Sequence, residues 1–189
     1  MSGRDKFKKF RTIINIFVFL LKILPIRLRK ILFTSIRNLN GIKGIAARYI
    51  ILKSINSNVG DNVSIHPGCY LFGIDNLIIG NNVSIHPMCY IDATGGIEIG
   101  SDVSIAHSTT ILSTSHSFDI ADESIKYQKI ISKKTKIDNN VWIGAKVTIL
   151  YGNSIGTGTV IGANSLINKD VPDNSVAFNE KSLFIRKRN

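Results

Sequence analysis

An aliphatic residue recurs at every sixth position through most of this chain, and no other feature constrains the fold as strongly. Copies of a longer repeat begin at Val59, Ile79 and Ile99, which gives a period of 20 residues. After an interruption the six-residue spacing continues without a slip through Ile137, Ile143, Ile149, Ile155, Ile161 and Ile167. A spacing of six matches neither the 3.6-residue period of a helix nor the two-residue alternation of a strand. It indicates a repeat architecture.

A triangular coil with three short strands and three corners per turn accounts for this spacing. One large aliphatic residue on each side points towards the axis, and Gly, Asn or Asp occupies corners where the backbone needs unusual dihedral angles. Three six-residue sides complete a turn, so the 20-residue copies carry two extra residues at a corner. Stacked turns lie about 4.8 Å apart, and each turn contacts only its neighbours. The sequence predicts a parallel β-helix over residues 59–172.

Three segments lie outside the regular repeat. Residues 1–58 form a basic, apolar segment that we expect to be helical, and residues 173–189 form a basic C-terminal tail. Residues 117–136 break the six-residue spacing and are expected to form a loop ejected from one corner. Loops of this length are uncommon and are usually functional. The predicted organisation is therefore one all-β domain, preceded by helices and interrupted by one functional loop.

The net charge of +11 is concentrated at the beginning of the chain. Residues 1–53 hold thirteen Lys or Arg and one acid, Asp5, a net charge of +12, whereas the remainder has a net charge of −1. A basic protein often binds nucleic acid, but these bases alternate with large aliphatic residues and match no zinc, helix-turn-helix or aromatic RNA-binding motif. The sequence therefore argues against a nucleic-acid partner.

The apolar run from Ile13 to Leu24 contains Lys22 and ends at Pro25. It is shorter than the roughly 20 residues that span a bilayer. Two interpretations compete for the N-terminal segment. Its helices either lie in the membrane interface with Lys and Arg on anionic headgroups, or cap the open end of the β-helix. We expect residues 13–32 to bind the inner face of the cell membrane and residues 42–55 to form the cap.

The cysteines Cys69 and Cys89 lie 20 residues apart, at the same place in successive turns. They are expected to be stacked small hydrophobic residues rather than a disulfide or a metal site. This usage is typical of a reducing cytoplasm.

Two stretches carry a resemblance to a known family: DNNVWIGAKVTIL at residues 138–150 and GNSIGTGTVIGANSLINKDVP at residues 152–172. Both resemble the hexapeptide-repeat acyltransferases, which include the maltose, galactoside and polysaccharide O-acetyltransferases. The resemblance extends over residues 59–172. It implies a left-handed β-helix, assembly as a homotrimer, and direct acetyl transfer from acetyl-CoA to a sugar hydroxyl without a metal ion.

The resemblance also implies a catalytic residue. His116 ends the last regular turn, immediately before the loop, and matches the histidine base of the family. An alcohol is a poor nucleophile at neutral pH, and histidine is the side chain whose ordinary pKa suits proton removal there. By the same resemblance, His86 and Asp92 fall where relatives line the sugar pocket. Trp142 is expected to be either a lid on the acceptor or an outward residue at the trimer seam.

Five further positions match the cofactor-binding residues of the family. The backbone at Ala145 and Ala163 is expected to contact the pantetheine arm of coenzyme A, since small side chains allow close approach. Asn168 and Lys169 are expected to meet the nucleotide end, where lysine suits a phosphate. Arg186 aligns with a basic residue of the family's tail, but the sequence around residues 179–181 departs from the family's turn and leaves its role open.

Other functions fit the sequence less well. The γ-type carbonic anhydrase, built on the same coil, needs two histidines five residues apart, whereas here successive histidines are separated by 20, 21 and 9 residues. A non-catalytic membrane-attached scaffold has no need of His116. An N-acetyltransferase acting on an amino sugar requires a similar base, so the sequence does not separate N- from O-transfer. The basic segment favours a lipid-linked acceptor or polysaccharide precursor over a free sugar.

Overall fold

The computed structural model describes residues 3–180. Three helices come first: α1 (Gly3–Leu21), α2 (Ile26–Ser35) and α3 (Gly41–Ile55). Short strands follow, and all but two of them lie in three parallel sheets that form the sides of a prism. In the described residues no helix is long and apolar enough to cross a membrane.

Each sheet takes one strand from each successive turn, with strands numbered in chain order. Sheet 1 contains β1 (Ser64–Ile65), β4 (Ser84–Ile85), β7 (Ser104–Ile105), β12 (Trp142–Ile143), β15 (Val160–Ile161) and β17 (Val176–Ala177). Sheet 2 contains β2 (Tyr70–Phe72), β5 (Tyr90–Asp92), β8 (Thr110–Leu112), β13 (Thr148–Ile149) and β16 (Leu166–Ile167). Sheet 3 contains β3 (Leu77–Ile79), β6 (Ile97–Ile99), β11 (Thr135–Ile137) and β14 (Ser154–Ile155).

The strand register follows the repeat of the sequence. Ile65 pairs with Ile85, and Ile85 pairs with Ile105, so each strand lies beside the strand one turn later. The predicted parallel β-helix is confirmed, and the six strands of sheet 1 correspond to six turns. One aliphatic side chain from each side is buried on the axis, as at Ile79, Ile91 and Ile105.

The corner between sheets 3 and 1 shows why Asn and Asp recur in the repeat. One residue per turn there has a positive φ, between 52° and 71°, a conformation that Gly, Asn and Asp adopt most readily. These residues are Asn62, Asn82, Asp102, Asn140, Gly158 and Asn174. Their side chains also join adjacent turns: Asn62 Nδ2 donates to Asn82 Oδ1 (3.1 Å), and Asn82 Nδ2 donates to Asp102 Oδ1 (3.0 Å).

The corner between sheets 2 and 3 holds every insertion into the repeat. In the first two turns it contains the two extra residues, because Leu71 and Ile79 are eight positions apart instead of six. In the third turn it carries an antiparallel hairpin of β9 (Thr114–His116) and β10 (Ile130–Ser132), which we call the arm. The arm begins before residue 117 because residues 114–116 pair with β10, and it ends before residue 136 because β11 already pairs with β6.

Helix α3 covers the first turn of the β-helix. Its Tyr49 and Leu52 are buried in the same apolar core as Val63 and Ile65. Arg48, only 1% exposed, extends from α3 to the carbonyl groups of the first strand and of the turn after α2. Helix α1 packs on α3 in turn, with Val18 buried. Apolar packing therefore continues from the solenoid into the helices.

An ion-paired carboxylate joins α1 to the solenoid. Asp61 accepts a hydrogen bond from Lys53 Nζ (2.5 Å) and pairs with Arg11 Nη2 (2.9 Å). The hydrogen bond from Lys53 holds the pKa of Asp61 below its ordinary value. Because the folded-state pKa is depressed, the stabilisation exists above the unfolded-state pKa of about 3.9 and disappears as the pH falls through the folded value.

We expect Asp61→Asn to lower the free energy of unfolding by about 1 kcal/mol or less at neutral pH, since the pair is partly exposed. Urea unfolding at pH 7 and at a pH of about 3 measures this, and the difference between wild type and variant should shrink at the acidic pH. An equal difference at both pH values would show that the charge of Asp61 contributes nothing.

Candidate active site

Thr114 connects Asp92 to the strand that carries His116. Thr114, the first residue of the arm, donates its hydroxyl hydrogen to Asp92 Oδ2 (2.8 Å). His116 follows two positions later, so its side chain leaves the same face of β9 as that of Thr114. The imidazole is exposed, and its backbone position pairs with Ile130. The predicted base thus lies two residues along the strand from the side chain that binds the predicted carboxylate, at the start of the arm.

The carboxylate of Asp92 is ordered by three hydrogen bonds. Oδ1 accepts from the backbone N–H and the hydroxyl of Thr94 (3.0 and 2.5 Å), and Oδ2 accepts from Thr114. Burial raises the pKa of Asp92, but the hydrogen bonds from Thr94 and Thr114 outweigh burial and hold the pKa below its ordinary value. An ionised, oriented carboxylate remains, and Oδ2 retains capacity for a further hydrogen bond.

In the described part of the chain, no hydrogen bond to the imidazole of His116 orients the ring. Asp119, the carboxylate three residues further along the arm, accepts a hydrogen bond from Ser117 Oγ (3.0 Å) instead. The outer part of the arm is organised by Gln128, which is 5% exposed and donates to the carbonyl oxygens of Ile120 and Glu123 (2.8 and 2.9 Å). The arm therefore has a defined shape, while its histidine remains accessible.

A second group of predicted residues lies at the corner between sheets 1 and 2. His86 stacks on His66 there, with ring centroids 4.9 Å apart and planes inclined by 8°. Burial, followed by the proximity of His86 and Arg48, lowers the pKa of His66. Ala145 and Ala163 occupy the same corner two and three turns beyond His86, and Asn164 N donates to Ala145 O (2.7 Å). The side chains of Ala145 and Ala163 are small, so little covers the backbone at this corner. We call the corner at Ala145 and Ala163 the strip.

Gly144 shows how closely the backbones approach in this strip. A Cβ atom at position 144 would lie 2.6 Å from the backbone nitrogen of Ala163, so only glycine fits. Position 144 therefore adds no side chain to the strip, where the sequence analysis predicts the pantetheine arm.

The remaining predicted residues are distributed around the last turns. Trp142 projects outward from sheet 1 with 55% of its surface exposed, between Ser104 and Val160 of the neighbouring strands. Asn168 and Lys169 are exposed at the corner that, two turns earlier, carries the arm. Arg186 lies outside the described residues. His116 and Asp92 thus lie at one edge of sheet 2. His86 and Ala145 lie at its other edge, a whole side of the prism away.

An aromatic row on the outside of sheet 2, which the sequence analysis missed, extends from Asp92. Tyr70, Phe72 and Tyr90 are each 40–44% exposed, and the ring centroids of Phe72 and Tyr90 are 5.3 Å apart. Phe72 pairs in register with Asp92. The guanidinium of Arg37 lies 3.9 Å from the centre of the Tyr70 ring. The 20-residue period aligns Tyr70 with Tyr90 and was the available signal for this row.

Neither a metal site nor a disulfide is found in residues 3–180. No group of three or more His, Cys, Asp or Glu side chains there has a geometry that could hold a metal ion. Cys69 and Cys89 are buried free thiols in adjacent turns, and they donate to the carbonyl oxygens of His86 (3.1 Å) and Ala106 (3.2 Å). Their stacked positions agree with the prediction from the repeat.

The sequence and the fold are both similar to known proteins. The profile of the family described as "Bacterial transferase hexapeptide (six repeats)" matches residues 134–169. Galactoside O-acetyltransferase of Lactococcus lactis subsp. lactis is 37% identical over 142 residues, which cover 74% of this chain and 67% of the relative. Galactoside O-acetyltransferase of Escherichia coli K12 is 34% identical over 142 residues, covering 75% and 69%.

The structure is also similar to a hexapeptide-repeat containing acetyltransferase of Vibrio cholerae O1 biovar eltor, solved in complex with acetyl coenzyme A. The TM-score is 0.70 and the sequences are 27% identical, with 80% of each chain covered.

Proposed function

Because this chain belongs to the hexapeptide-repeat acyltransferases, we propose that it is an O-acetyltransferase that moves an acetyl group from acetyl-CoA to a sugar hydroxyl. The observation that carries the proposal is the position of His116 on the strand whose Thr114 donates a hydrogen bond to the oriented carboxylate of Asp92. An exposed imidazole at the same edge of the sheet as a fixed anion is suited to removing a proton from a polyhydroxylated acceptor.

The proposed mechanism assigns one step to each group. The imidazole of His116 accepts the proton of the acceptor hydroxyl as that oxygen attacks the thioester carbonyl of the donor. The carbon–sulfur bond then breaks, and His116 returns the proton to the departing thiolate, so acetyl ester and free coenzyme A are the products. Asp92 holds a neighbouring hydroxyl of the sugar through the free capacity of Oδ2. No covalent intermediate on the protein is required.

The complete site is proposed to form between copies of a homotrimer. The arm exposes Phe118, Ile120, Ile125 and Tyr127 at 55–74% of their surface, which is typical of a segment that packs on another chain. His116 lies at one edge of sheet 2, whereas Ala145 and Ala163 lie at the other edge. A groove between two copies brings the arm of one copy to the strip of the next, so that coenzyme A lies along the strip and Lys169 meets its phosphates.

The proposed acceptor is a cell-surface polysaccharide or its lipid-linked precursor, and the protein is proposed to work in the cytoplasm at the inner face of the membrane. The aromatic row beside Asp92 supports an acceptor longer than one sugar unit, because it offers exposed ring faces next to the site of transfer.

We expect Tyr90→Ala to raise the KM for an oligosaccharide acceptor about tenfold and to leave the KM for acetyl-CoA unchanged. The ring of Tyr90 lies 6.3 Å from that of Tyr70 and 5.3 Å from that of Phe72, so its removal takes away a ring face that contacts both neighbours. Steady-state kinetics with each substrate varied in turn measure the effect. Ile78→Ser, at a similarly exposed position on sheet 3, is the matched control. An unchanged acceptor KM for Tyr90→Ala would remove the row from the acceptor site.

Thiol release from acetyl-CoA tests the function as a whole. The purified protein is assayed with soluble sugars, amino sugars and a membrane glycolipid extract, and the acetylated product is then treated with mild alkali. We expect release with a hydroxyl acceptor and a product that loses acetate in alkali, as an ester does. An alkali-stable product would instead be an amide and would identify an N-acetyltransferase. No thiol release with any acceptor would support a scaffold.

A further inference from the structure

Helix α1 has two apolar faces, and only one of them is covered. The covered face contains Phe7, Ile14 and Leu21, which pack against the apolar core, and Val18, which is buried. Phe7 meets the ring of Tyr49 edge-on, with centroids 5.7 Å apart. Helix α1 is therefore fixed on α3, and the capping and membrane-binding interpretations of the N-terminal segment do not exclude each other.

The uncovered face forms a continuous stripe. Phe10, Ile13, Phe17 and Leu20 follow the three- and four-residue spacing of one helix face, and each of them is 47–52% exposed. Ile23, just after the end of α1, and Ile31 on α2 are also exposed, at 74% and 61%. We call these six residues the apolar stripe. An ordinary soluble surface rarely leaves so many large apolar side chains contiguous.

The charges around the stripe select an anionic partner. Lys8 and Lys9 lie near the beginning of α1, and Lys22 lies just after its end; all three are exposed. Asp5 is the single acid among the first 53 residues of the sequence. Apolar side chains flanked by lysines match the boundary between acyl chains and anionic headgroups, where each nearby basic residue is worth about 1 kcal/mol.

We infer that the apolar stripe is a docking surface for an anionic lipid bilayer, with α1 lying in the plane of the membrane interface. The packed inner face of α1 stays on α3 while the stripe enters the acyl boundary. This inference extends the proposed function by naming the surface through which the protein reaches its membrane, and it rests on geometry that is independent of the catalytic residues.

The solenoid has a fixed orientation on that surface. Arg11 of α1 pairs with Asp61, and Lys30 of α2 pairs with Asp75 Oδ2 (2.6 Å), so both helices are attached to the first turns. Arg37, just after α2, lies over Tyr70 at the near end of the aromatic row. Docking therefore places the row between the bilayer and Asp92, where a glycan attached to lipid would extend towards His116.

Co-sedimentation of the purified full-length protein with vesicles tests the inference. We expect binding to vesicles containing phosphatidylglycerol, weaker binding to vesicles of phosphatidylcholine alone, and loss of the difference at high salt. The double variant Ile13→Ser/Phe17→Ser should bind at least about tenfold more weakly, since each buried side chain contributes about 1.5–3 kcal/mol. Ile78→Ser, on the outward face of β3, removes an exposed apolar residue elsewhere and should bind as wild type does.

A second variant separates charge from apolar contact. Lys8→Gln/Lys9→Gln should weaken binding to phosphatidylglycerol vesicles about tenfold or more and leave binding to phosphatidylcholine unchanged. Thermal unfolding and thiol release with a soluble acceptor should match wild type in both double variants, which keeps a failure of docking distinct from a failure of catalysis.

Two results would overturn the inference. The first is wild-type protein that stays in solution with both kinds of vesicle, or a stripe variant that sediments as wild type does. The second is a stripe variant that changes the oligomeric state by light scattering, because the stripe would then be a contact between copies of this chain.

Discussion

His116→Ala is expected to lower the rate of thiol release from acetyl-CoA by about 10²- to 10⁴-fold, the contribution of a positioned general base. The loss should appear in kcat rather than in the KM for either substrate, because the imidazole acts on a proton that moves only during the chemical step. Thermal unfolding should be unchanged, since the ring is exposed and no hydrogen bond to it is found in the described residues. The assay is steady-state thiol release with an acceptor that supports release by the wild-type protein.

The matched control for this variant is His66→Ala. His66 is a histidine whose pKa is lowered, chiefly by burial, and it stacks on His86 at the far edge of sheet 2. We expect its removal to leave kcat within about twofold of wild type, since a surface substitution away from the reacting groups has little effect on the barrier. Full activity in His116→Ala would move the base elsewhere, and His107 would be the next histidine to test.

Arg48→Met is expected to lower the free energy of unfolding by about 3–5 kcal/mol. The guanidinium donates through Nε to Ile65 O (2.8 Å) and through Nη1 to the carbonyls of Ile36, Arg37 and Leu39 (3.1, 3.2 and 2.8 Å). Ile65 belongs to the first strand of sheet 1, whose outer edge has no further strand to pair with. Methionine fills a similar volume but leaves four carbonyl groups without this donor.

Thermal or urea unfolding measures the effect, and a loss of this size corresponds to a fall in Tm of about 10 °C for a chain of this length. Arg37→Met is the control, because Arg37 has a ring contact but no comparable burial, and it should cost about 1 kcal/mol or less. Arg48→Lys should lose an amount of unfolding free energy between those lost by Arg48→Met and Arg37→Met, since one ammonium group cannot reach all four carbonyls. An Arg48→Met protein as stable as wild type would mean that water satisfies these carbonyls and that Arg48 is not the link between cap and solenoid.

The solenoid could be predicted from sequence because its information is local. A six-residue spacing and an Asn, Asp or Gly at the left-handed corner position repeat turn after turn, and each copy restates the same geometry. The stacking of Cys69 on Cys89 and of His66 on His86 follows from the same period. Each turn therefore contains the residues that specify its own geometry.

Long-range polar contacts were not predictable in this way. Arg48 lies in residues 42–55, which were expected to form the cap, but no pattern in the sequence marked it as the buried link. Its burial depends on carbonyl groups of Ile65 and Leu39 that converge only after folding. The contact of Thr114 with Asp92 also crosses from one turn to the next, at a corner where the spacing has already broken down. Helix α1 was expected to serve either the cap or the membrane, because a linear pattern does not separate two apolar faces about a quarter-turn apart.

The corner between sheets 2 and 3, which holds the insertions, fixes the position of an inserted segment along the axis in steps of one turn. Every departure from the six-residue spacing, from two extra residues to the whole arm, is found there, while the other two corners keep constant length. The strands on either side of this corner pair with those of the neighbouring turns whatever segment the corner carries. A hairpin moved from the third turn to the second would therefore travel along the axis by one strand spacing, about 4.8 Å, without altering the ladders. The distance along the axis between the arm and the helix-capped end of the molecule is, in such a fold, a whole number of turns.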